Sequence, residues 1–307
     1  MFNIETQVGA KFKAIVKKGN RVTKESGWSN NLVLDAGLNR MSVGTWINRC
    51  CVGTGNSDPN AGQTMLDSFV ASTTSPKNGL AVANTSVAPY YYGYRLTWVF
   101  AIGTATGNLS EVGLGWGDNN LWNRALLRDA AGNPTTITVL SDESLEIIAE
   151  VRCYPSATIS GSFQLVDKND VLISEHTYAG LPVIANASTG SFSRVELGYA
   201  AGISEYRNAM SSKDPMPTGI TTLPLMYAID TANGNTTTYP TPTSAKAVCT
   251  FPPSKANYAH KTLFLRNTLL ADTGIGYKLE ISPTISKTSL ESLVYEFTLS
   301  WGRYEPT

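Results

Sequence analysis

Apolar and polar residues alternate with a period of two wherever the chain shows a clear pattern. The clearest example is SLVYEFTLSW, residues 292–301, in which every second side chain is large and apolar. The segment EIIAEVRCY, residues 146–154, alternates in a similar way. Because successive side chains of a β-strand point to opposite faces of a sheet, this period predicts strands that each bury one face.

The glycine-rich segment NLSEVGLGWGDNNLWNRALLRD, residues 108–129, raises the alternative of a nucleotide site. Its glycines lack the G-x-G-x-x-G spacing of a dinucleotide fingerprint, and the Lys of a phosphate loop does not follow them. They alternate instead with Val112, Leu114 and Trp116, as in a strand. The residues GDNN favour a turn, so we predict a β-hairpin whose return strand is LWNRALL.

One short helix is predicted near residues 35–43, in the segment DAGLNRMSV, with Asp35 as its N-cap. This segment contains Gly37 and spans barely two turns, so the helix would decorate a β-rich domain. The fold class expected from these patterns is therefore all-β.

A partial internal repeat bears on the domain organisation. LLRDAAGNP (126–134) is echoed by LLADTGIGY (269–277), and SDESLE is echoed by SKTSLE. Each copy continues into an alternating segment with one glutamate, Glu150 or Glu296. Duplication of one unit and chance similarity between short strands and turns both explain this echo.

A chain of 307 residues is long for a single hydrophobic core. We predict two antiparallel β-sandwich domains of jelly-roll-like form, comprising residues 1–155 and 156–307.

Charge and hydropathy exclude some partners. The chain has 24 basic and 24 acidic residues, whereas non-specific nucleic-acid binding needs an excess of Lys and Arg on one face. The basic run within residues 11–24 is interpreted as the solvated face of the first hairpin. The N-terminus lacks the pattern of a secretory signal, and no apolar run approaches the ~20 residues that span a bilayer. We expect no nucleic-acid partner, no membrane association and synthesis in a cytoplasm.

Candidate metal ligands are few. His176 and His260 have no Cys or His at ligand spacing, and adjacent Cys50 and Cys51 would face opposite sides of a strand. Buried thiols are the favoured interpretation of the cysteines. The segment DKNDV, residues 167–171, fits a hairpin turn better than a calcium loop. No metal and no cofactor are predicted.

Paired carboxylates are the enzymatic alternative, because glycoside cleavage uses two carboxyl groups about 5 to 10 Å apart. The candidates lie beside Gly, Asn or Ser in predicted turns, where acidic residues bond to the local backbone: Asp118, Asp129, Asp142 and Glu143. The turn interpretation is favoured, so the chain is not expected to be an enzyme.

The segment APYYYGYRLTWVF, residues 88–100, concentrates aromatic side chains. Such residues are favoured both in β-sheet cores and at protein interfaces, and both locations stay open. The candidate interface residues are Tyr90, Tyr92, Tyr94, Trp98, Trp116 and Trp122. A segment rich in Thr, Pro and Asn, within residues 218–245, is the other candidate for contacts between subunits.

Several motifs within residues 30–155 resemble a module of structural proteins from tailed bacteriophages. They are VGTG at Val52–Gly55, LSEVG at Leu109–Gly113, RALLRDAAGNPTTITV at Arg124–Val139, and the segment Glu143–Pro155 that ends in Tyr-Pro. The resemblance covers about half of the chain, and its motifs are strands and turns.

This resemblance implies a non-enzymatic virion protein of the tail or neck, as a collar, fibre-anchoring or baseplate-associated subunit. It also implies self-assembly as a ring or trimer and contacts with other virion proteins, after synthesis in the host bacterial cytoplasm. The alternative is a receptor-binding tail protein that recognises a host surface glycan through exposed residues such as Trp116 and Trp122. A depolymerase that uses a carboxylate such as Asp118 is a third hypothesis.

Overall fold

A computed structural model describes residues 1–185, 192–197, 207–225, 228–230, 237–270 and 275–305. The described residues form 23 β-strands and one helix, which confirms the all-β class. The first fourteen strands are β1 (Phe2–Lys18), β2 (Arg21–Glu25), β3 (Ser29–Asn30), β4 (Leu32–Val33), β5 (Arg49–Gly53), β6 (Phe69–Thr73), β7 (Pro76–Asn84), β8 (Tyr91–Phe100), β9 (Gly107–Leu109), β10 (Glu111–Gly117), β11 (Asn120–Leu121), β12 (Asn123–Leu126), β13 (Ile137–Val139) and β14 (Ser144–Pro155). The others are β15 (Ile159–Val166), β16 (Leu172–Ile184), β17 (Arg207–Ser212), β18 (Ala228–Asp230), β19 (Thr238–Thr241), β20 (Ser244–Phe251), β21 (Ala259–Arg266), β22 (Ile275–Ser286) and β23 (Leu293–Arg303).

The helix α1 (Asp35–Arg40) is shorter than predicted, and its N-cap is Leu34 rather than Asp35. Asp35 is instead the first helical residue and forms an ion pair with Arg303. Gly37 lies against the backbone of Trp122, where an added Cβ would be 2.2 Å from the Trp122 carbonyl oxygen. The helix can therefore approach the backbone between β11 and β12 closely only because residue 37 has no side chain.

Four sheets organise the strands. The largest has nine strands, in the order β19-β20-β23-β1-β14-β8-β7, with β2 and β3 also paired to β1. Two six-stranded sheets follow the orders β4-β12-β10-β5-β6, with β11 beside β10, and β15-β16-β22-β21-β17-β18. A small sheet pairs β13 with β9. The pairings in these sheets are antiparallel apart from β1 with β23, which is parallel.

The nine-stranded sheet joins the two predicted domains, so the chain does not divide into separate sheets at Pro155. Strand β1 has 17 residues. It pairs along Thr6–Lys17 with β14 and along Phe2–Val8 with β23, near the C-terminus. A long strand with two open edges can accept a neighbour on each side, and here those neighbours come from different halves of the chain.

The echoed strands β14 and β23 lie on either side of β1 in this one sheet. Their corresponding glutamates differ in environment, because the Glu150 side chain is 1% exposed and that of Glu296 is 42% exposed. The second copy of the first echo, residues 269–277, lies partly outside the described residues. The echo therefore does not correspond to equivalent positions in two separate sheets.

One large hydrophobic core cluster includes residues from both halves. Phe2 lies at the junction, with its ring centroid 4.9 Å from that of Phe163 and 4.9 Å from that of Phe297. Among the described residues, no helix has the length and apolar character needed to cross a membrane.

The predicted hairpin is confirmed by the pairing of β10 with β11 and β12. Its glycines admit the return strand: a Cβ on Gly115 would lie 2.1 Å from the Asn120 carbonyl oxygen, and one on Gly113 would lie 2.7 Å from that of Asn123. The alternating glycines thus serve close backbone packing, which is a known use of glycine in strands.

Candidate functional site

Glu111, in β10, is a fully buried carboxylate with four hydrogen-bond donors. Its Oε1 accepts from the backbone N–H groups of Gly55 (2.8 Å) and Ser68 (2.9 Å). Its Oε2 accepts from the Asp67 N–H (3.1 Å) and from Arg124 Nε (2.8 Å). A buried charge is tolerated when it is both paired and hydrogen-bonded, and Glu111 meets both conditions.

Arg124, in the neighbouring strand β12, is equally buried. Besides Glu111, its guanidinium donates from Nη2 to Asp67 Oδ2 (2.7 Å) and from Nη1 to Gln63 Oε1 (3.0 Å). Hydrogen bonding from the Ser57 hydroxyl and the nearby Arg124 charge together lower the pKa of Asp67. Glu111, Arg124, Asp67 and Gln63 are called the Glu111 network below.

The Glu111 network holds the connection between β5 and β6, residues 54–68, against the sheet. Two glycines leave space for it: a Cβ on Gly53 would lie 2.5 Å from Glu111 Oε1, and one on Gly55 would lie 2.5 Å from the same oxygen. A loop of this length has many conformations when free, and the buried ion pair selects one of them.

This network joins three of the motifs that carry the resemblance, since Gly55 ends VGTG, Glu111 lies in LSEVG and Arg124 begins RALLRD. Sequence analysis did not identify it. A usable signal was present, because Glu111 and Arg124 are opposite charges inside apolar strands of one predicted hairpin. Glu111 lies opposite Leu126 in the register, so Arg124 is its diagonal neighbour.

A second buried carboxylate, Glu150 in β14, lies on the nine-stranded sheet. Its Oε2 accepts from Arg95 Nε (2.8 Å), and its Oε1 accepts from Arg152 Nε (2.6 Å). The Arg152 guanidinium carbon lies 4.0 Å from the centroid of the Tyr91 ring, a cation–π contact. Glu150, Arg95 and Arg152 thus form one cluster of charged side chains on this sheet, called the Glu150 cluster below.

The four carboxylates considered for the enzymatic alternative each have their own hydrogen-bond or ion-pair partner. Asp118 accepts from Arg49 (2.7 Å), Asp142 pairs with Lys18 (2.5 Å), and Glu143 pairs with Lys24 (3.0 Å). Asp129 accepts from backbone N–H groups of its own turn, those of residues 131 and 133.

These contacts lower the pKa of all four carboxyl groups. For Glu143 the hydrogen bond from the Leu140 N–H is the largest cause and brings its pKa to about 2. Hydrogen bonds from Ser72 and Arg49 lower the pKa of Asp118. A hydrogen bond from the Asn133 backbone lowers the pKa of Asp129, and one from the Lys18 side chain lowers that of Asp142. A glycosidase acid needs a raised pKa, so the four groups have the opposite electrostatic character.

The histidines are held by hydrogen bonds. His260 Nε2 donates to the Ala256 carbonyl (2.9 Å), and its Nδ1 lies 3.1 Å from the Tyr295 hydroxyl. Burial lowers the pKa of His260 to about 4, so the ring is neutral near pH 7. His176 Nδ1 donates to the Pro283 carbonyl (2.7 Å). No group of three potential metal ligands occurs in the part of the chain that the structure describes.

The four cysteines are buried, as the sequence predicts. Cys50 belongs to the large core cluster and Cys51 to a small separate one, which places the adjacent thiols on opposite faces of β5. The predicted turn at residues 167–171 is also confirmed, since Asp167 Oδ1 accepts from the N–H groups of Asn169 (2.8 Å) and Val171 (2.9 Å).

Three of the six candidate interface residues lie in the interior of the folded chain. Tyr92 and Trp98 are 1% and 2% exposed, and Trp122 is fully buried against Trp46, with ring centroids 5.0 Å apart. Tyr92 and Trp98 lie in β8 and Trp122 lies between β11 and β12, and all three side chains pack in the core. They are therefore not available to a neighbouring subunit or to a glycan in this fold.

The other three candidates, Tyr90, Tyr94 and Trp116, are partly buried and pack against the core. The Arg40 guanidinium carbon lies 5.4 Å from the centroid of the Trp116 ring. The candidate segment 218–245 lies partly outside the described residues, and its described part includes β19 at the edge of the nine-stranded sheet.

A surface pocket of about 220 Å³ lies beside the Glu150 cluster and is lined by aromatic and amide side chains. Tyr154 and Tyr304 stack there with ring centroids 3.6 Å apart. Tyr91 and Arg152 form another part of its lining. Asn31 accepts from the Ala10 N–H (2.6 Å), and its buried Nδ2 has no hydrogen-bond partner among the described residues. This pocket is called the tyrosine groove.

A second depression, of about 760 Å³, adjoins the tyrosine groove and shares Ala88, Pro89, Tyr154 and Tyr304 with it. The two together form a continuous surface on either side of the stacked tyrosines. Of the six candidate interface residues, Tyr90 is the one that lines these depressions.

Comparison with known proteins returns no match: no protein-family model, no curated protein and no solved structure is similar to the chain at a significant level.

Proposed function

We propose that this chain is a non-enzymatic structural protein of a tailed-phage virion, which assembles at the tail or neck after synthesis in the host bacterial cytoplasm. Its role there is that of a collar, fibre-anchoring or baseplate-associated subunit. It contacts further copies of itself, in a ring or trimer, and other virion proteins.

The observation that carries this proposal is the Glu111 network. It brings VGTG, LSEVG and the Arg124 segment, which resemble phage structural proteins, to one buried point. Residues used in this way stabilise a loop against a sheet, and the side chains of Glu111 and Arg124 are too buried to meet a substrate. Fixed loops on a rigid sheet suit a subunit whose task is shape-complementary assembly.

The environment of the carboxyl groups also supports a non-catalytic role. Asp118, Asp129, Asp142 and Glu143 each bond to a nearby cation or backbone N–H, and each has a lowered pKa. A depolymerase would need one carboxyl group that stays protonated near neutral pH.

The test is the mass of the purified protein, measured by light scattering, alone and after mixing with phage particles assembled without it. A stable oligomer that sediments with the particles at the neck or tail is the expected result. A monomer that ignores the particles contradicts the proposal. Measuring release of reducing ends from host capsule or lipopolysaccharide in the same preparation tests the depolymerase hypothesis.

The tyrosine groove favours a second candidate function, that of a receptor-binding tail protein for a host surface glycan. Stacked Tyr154 and Tyr304 offer aromatic surface, and Arg152 and Asn31 offer hydrogen-bond donors beside it. Pockets that combine apolar walls with a few polar groups are typical ligand sites. This candidate no longer relies on Trp122, which is buried.

Binding of the protein to host cells and to their purified surface glycans tests the second candidate. We expect Tyr304→Ser to abolish such binding if it occurs in the groove. Phe69→Ala is the matched control, because Phe69 is an exposed aromatic residue outside the groove lining. Equal loss with both variants, or no binding by the unmodified protein, rejects the groove as a glycan site.

A further inference from the structure

Strand β15 forms one edge of the sheet β15-β16-β22-β21-β17-β18. On its inner side it pairs with β16 from Ile159 to Val166. Among the strands that the structure describes, none pairs with its outer side. An open edge presents a row of backbone N–H and C=O groups that can pair with another strand.

The other sheet edges carry features that oppose such pairing. Strand β7 begins with Pro76 and Lys77 and has a register shift before Leu80. Strand β19 has four residues and contains Pro240, and β18 and β4 have three and two residues. At β6, which has five residues, the Thr73 hydroxyl donates to the Val99 carbonyl of β8 (2.8 Å). Prolines, charges, bulges and short length are the usual protections of an edge.

Strand β15 lacks the proline, the charged residues and the short length that protect an edge, and its one register shift lies at its end, between Leu165 and Val166. Its eight residues, ISGSFQLV, contain no charged residue and no proline, and its register is regular up to Leu165. The five residues other than Ile159 and the partly buried Phe163 and Leu165 are exposed. Ser160, Ser162 and Gln164 among them are polar, Gly161 has no side chain, and Val166 is apolar and 41% exposed. A long, uncharged edge is the kind that pairs with another chain.

We propose that β15 pairs antiparallel with β15 of a second copy of this chain, across a two-fold axis at Ser162. In that register Ile159 lies opposite Leu165 of the second copy, and Ser160 lies opposite Gln164 of the second copy. Residues of the same parity share a face in an antiparallel pair, so apolar residues meet apolar ones and polar residues meet polar ones.

Charge favours a second copy as the occupant of this edge. Strand β15 has no charged residue, so two paired copies of it do not repel each other. The whole chain has 24 basic and 24 acidic residues, so two copies do not repel each other at long range either. The inward face of β15 already packs on the core through Phe163, whose ring lies 4.9 Å from that of Phe2. The pairing would therefore continue one apolar sheet face into the next subunit.

The tip of the β15–β16 hairpin adds apolar surface at the same end of the sheet. Val171, Leu172 and Ile173 are 60%, 52% and 61% exposed. A cluster of exposed aliphatic side chains of this kind marks an interaction surface more often than a solvated one.

A two-fold contact links copies in pairs, because the same residues are used by both partners. It deepens the self-association in the proposed function, although it does not depend on the virion context. A ring or trimer would need a second contact surface in addition to β15.

The test places like charges at the axis. We expect the unmodified protein to have twice the monomer mass in a sedimentation experiment, and Ser162→Lys to weaken dimerisation by about fivefold or more, because two lysines then lie opposite each other. Thr177→Lys is the matched control: Thr177 is exposed on the same face but lies on β16, directly beside Ser162. It should leave the dimer unchanged.

A charge-swap pair makes the register itself testable. Ser162→Glu alone should also weaken the dimer, whereas a mixture of the Lys and Glu variants should form mixed dimers at least as well as the unmodified protein. A monomeric unmodified protein overturns the proposal, as does a dimer or trimer that Ser162→Lys leaves intact. Failure of the mixture to associate overturns the two-fold register.

Particle binding separates this inference from the proposed function. A monomeric Ser162→Lys variant that still sediments with phage particles supports both β15 pairing and a virion role. An unmodified dimer that ignores the particles supports β15 pairing and contradicts the virion role.

Discussion

The two halves of the chain hold buried charge in different ways. In the first half, buried carboxylates are paired with arginines: Glu111 with Arg124, and Glu150 with Arg95 and Arg152. In the second half, the buried lysines Lys278 and Lys287 are held by neutral oxygens. Lys278 donates to the Gly219 and Thr222 carbonyls at 2.5 and 3.0 Å, and Lys287 donates to Asn257 Oδ1 (2.7 Å).

The electrostatic consequences of this difference can be measured. Burial lowers the pKa of Lys278 to about 8 and that of His260 to about 4. Stability of the first half therefore depends on keeping both partners of each pair, whereas the second half contains groups whose protonation changes within an accessible pH range.

Arg124→Met is expected to have the largest effect, because it leaves Glu111 buried without its cation. Loss of one partner from a buried pair costs about 3–5 kcal/mol of unfolding free energy. Urea unfolding measures this change. Lys246→Met is the control, since it removes one partner of the exposed pair with Glu296 and should cost less than about 1 kcal/mol. Similar losses for both variants would contradict the comparison.

The double variant Glu111→Leu, Arg124→Met sharpens the first prediction. Replacing both ions of a buried pair by apolar residues often restores stability. Here we expect little recovery, because the N–H groups of Gly55, Asp67 and Ser68 also lose their acceptor. Full recovery would mean that the charge pair alone, and not the held loop, determines the cost.

Gly55→Ala should be the next largest change. Its Cβ would lie 2.4 Å from Asp67 Cβ and 2.5 Å from Glu111 Oε1, so the Glu111 network would have to move. Overpacking of this kind costs about 1–3 kcal/mol. Gly62→Ala, in the same loop, is the control, because its nearest atom would be Asn60 Oδ1 at 3.5 Å. Thermal unfolding measures the melting temperatures of both variants, and we expect that of Gly55→Ala to be lower. Equal melting temperatures would be evidence against a tightly packed site.

His260 predicts a pH dependence on the acid side. Its pKa rises from about 4 in the folded chain to its ordinary 6.5 on unfolding, so the unfolded state binds a proton that the folded state excludes. Stability should therefore fall as pH decreases from 6.5 to 4. His260→Gln, which can keep both hydrogen bonds, should show a shallower decrease than the unmodified protein. Identical slopes in urea unfolding across this window would refute the assignment.

Lys278 predicts a pH dependence of stability on the alkaline side. The unfolded lysine keeps its proton up to about 10.5, whereas the folded one loses it near pH 8, so this group makes stability rise with pH between those values. Buried thiols such as Cys153, whose pKa burial raises to about 12, act in the opposite direction. The measurement is the unfolding free energy of the unmodified protein minus that of Lys278→Met. This difference should increase as the pH rises from 8, because only the unmodified protein gains stability from the lysine. A constant difference would contradict the prediction.

Part of the candidate site could be anticipated from local sequence. The hairpin at β10–β12, the turn at Asp167 and the opposite faces of Cys50 and Cys51 depend on neighbouring residues, and all are confirmed. The opposite charges of Glu111 and Arg124 in one hairpin were a local signal for their pairing, but the backbone donors to Glu111 could not be found in this way, because they come from a loop more than forty residues away in sequence. The burial of Trp122 could not be predicted from local sequence either, because it depends on contacts with Trp46 and with Gly37 of the helix.

Local sequence was sufficient to predict an all-β chain, because the alternation between adjacent residues is the same whichever strand becomes the neighbour. It also determined where turns form, because Gly, Asn and Asp favour them through local backbone geometry. The position of β1 between β14 and β23 became known from the folded chain, because the residues of a strand do not specify which strand will pair with each of its edges. The tertiary structure also decided which charges are buried, and it left β15 as a long edge without a described partner. Those outcomes depend on contacts between residues far apart in the chain, which alternation along a single strand does not encode.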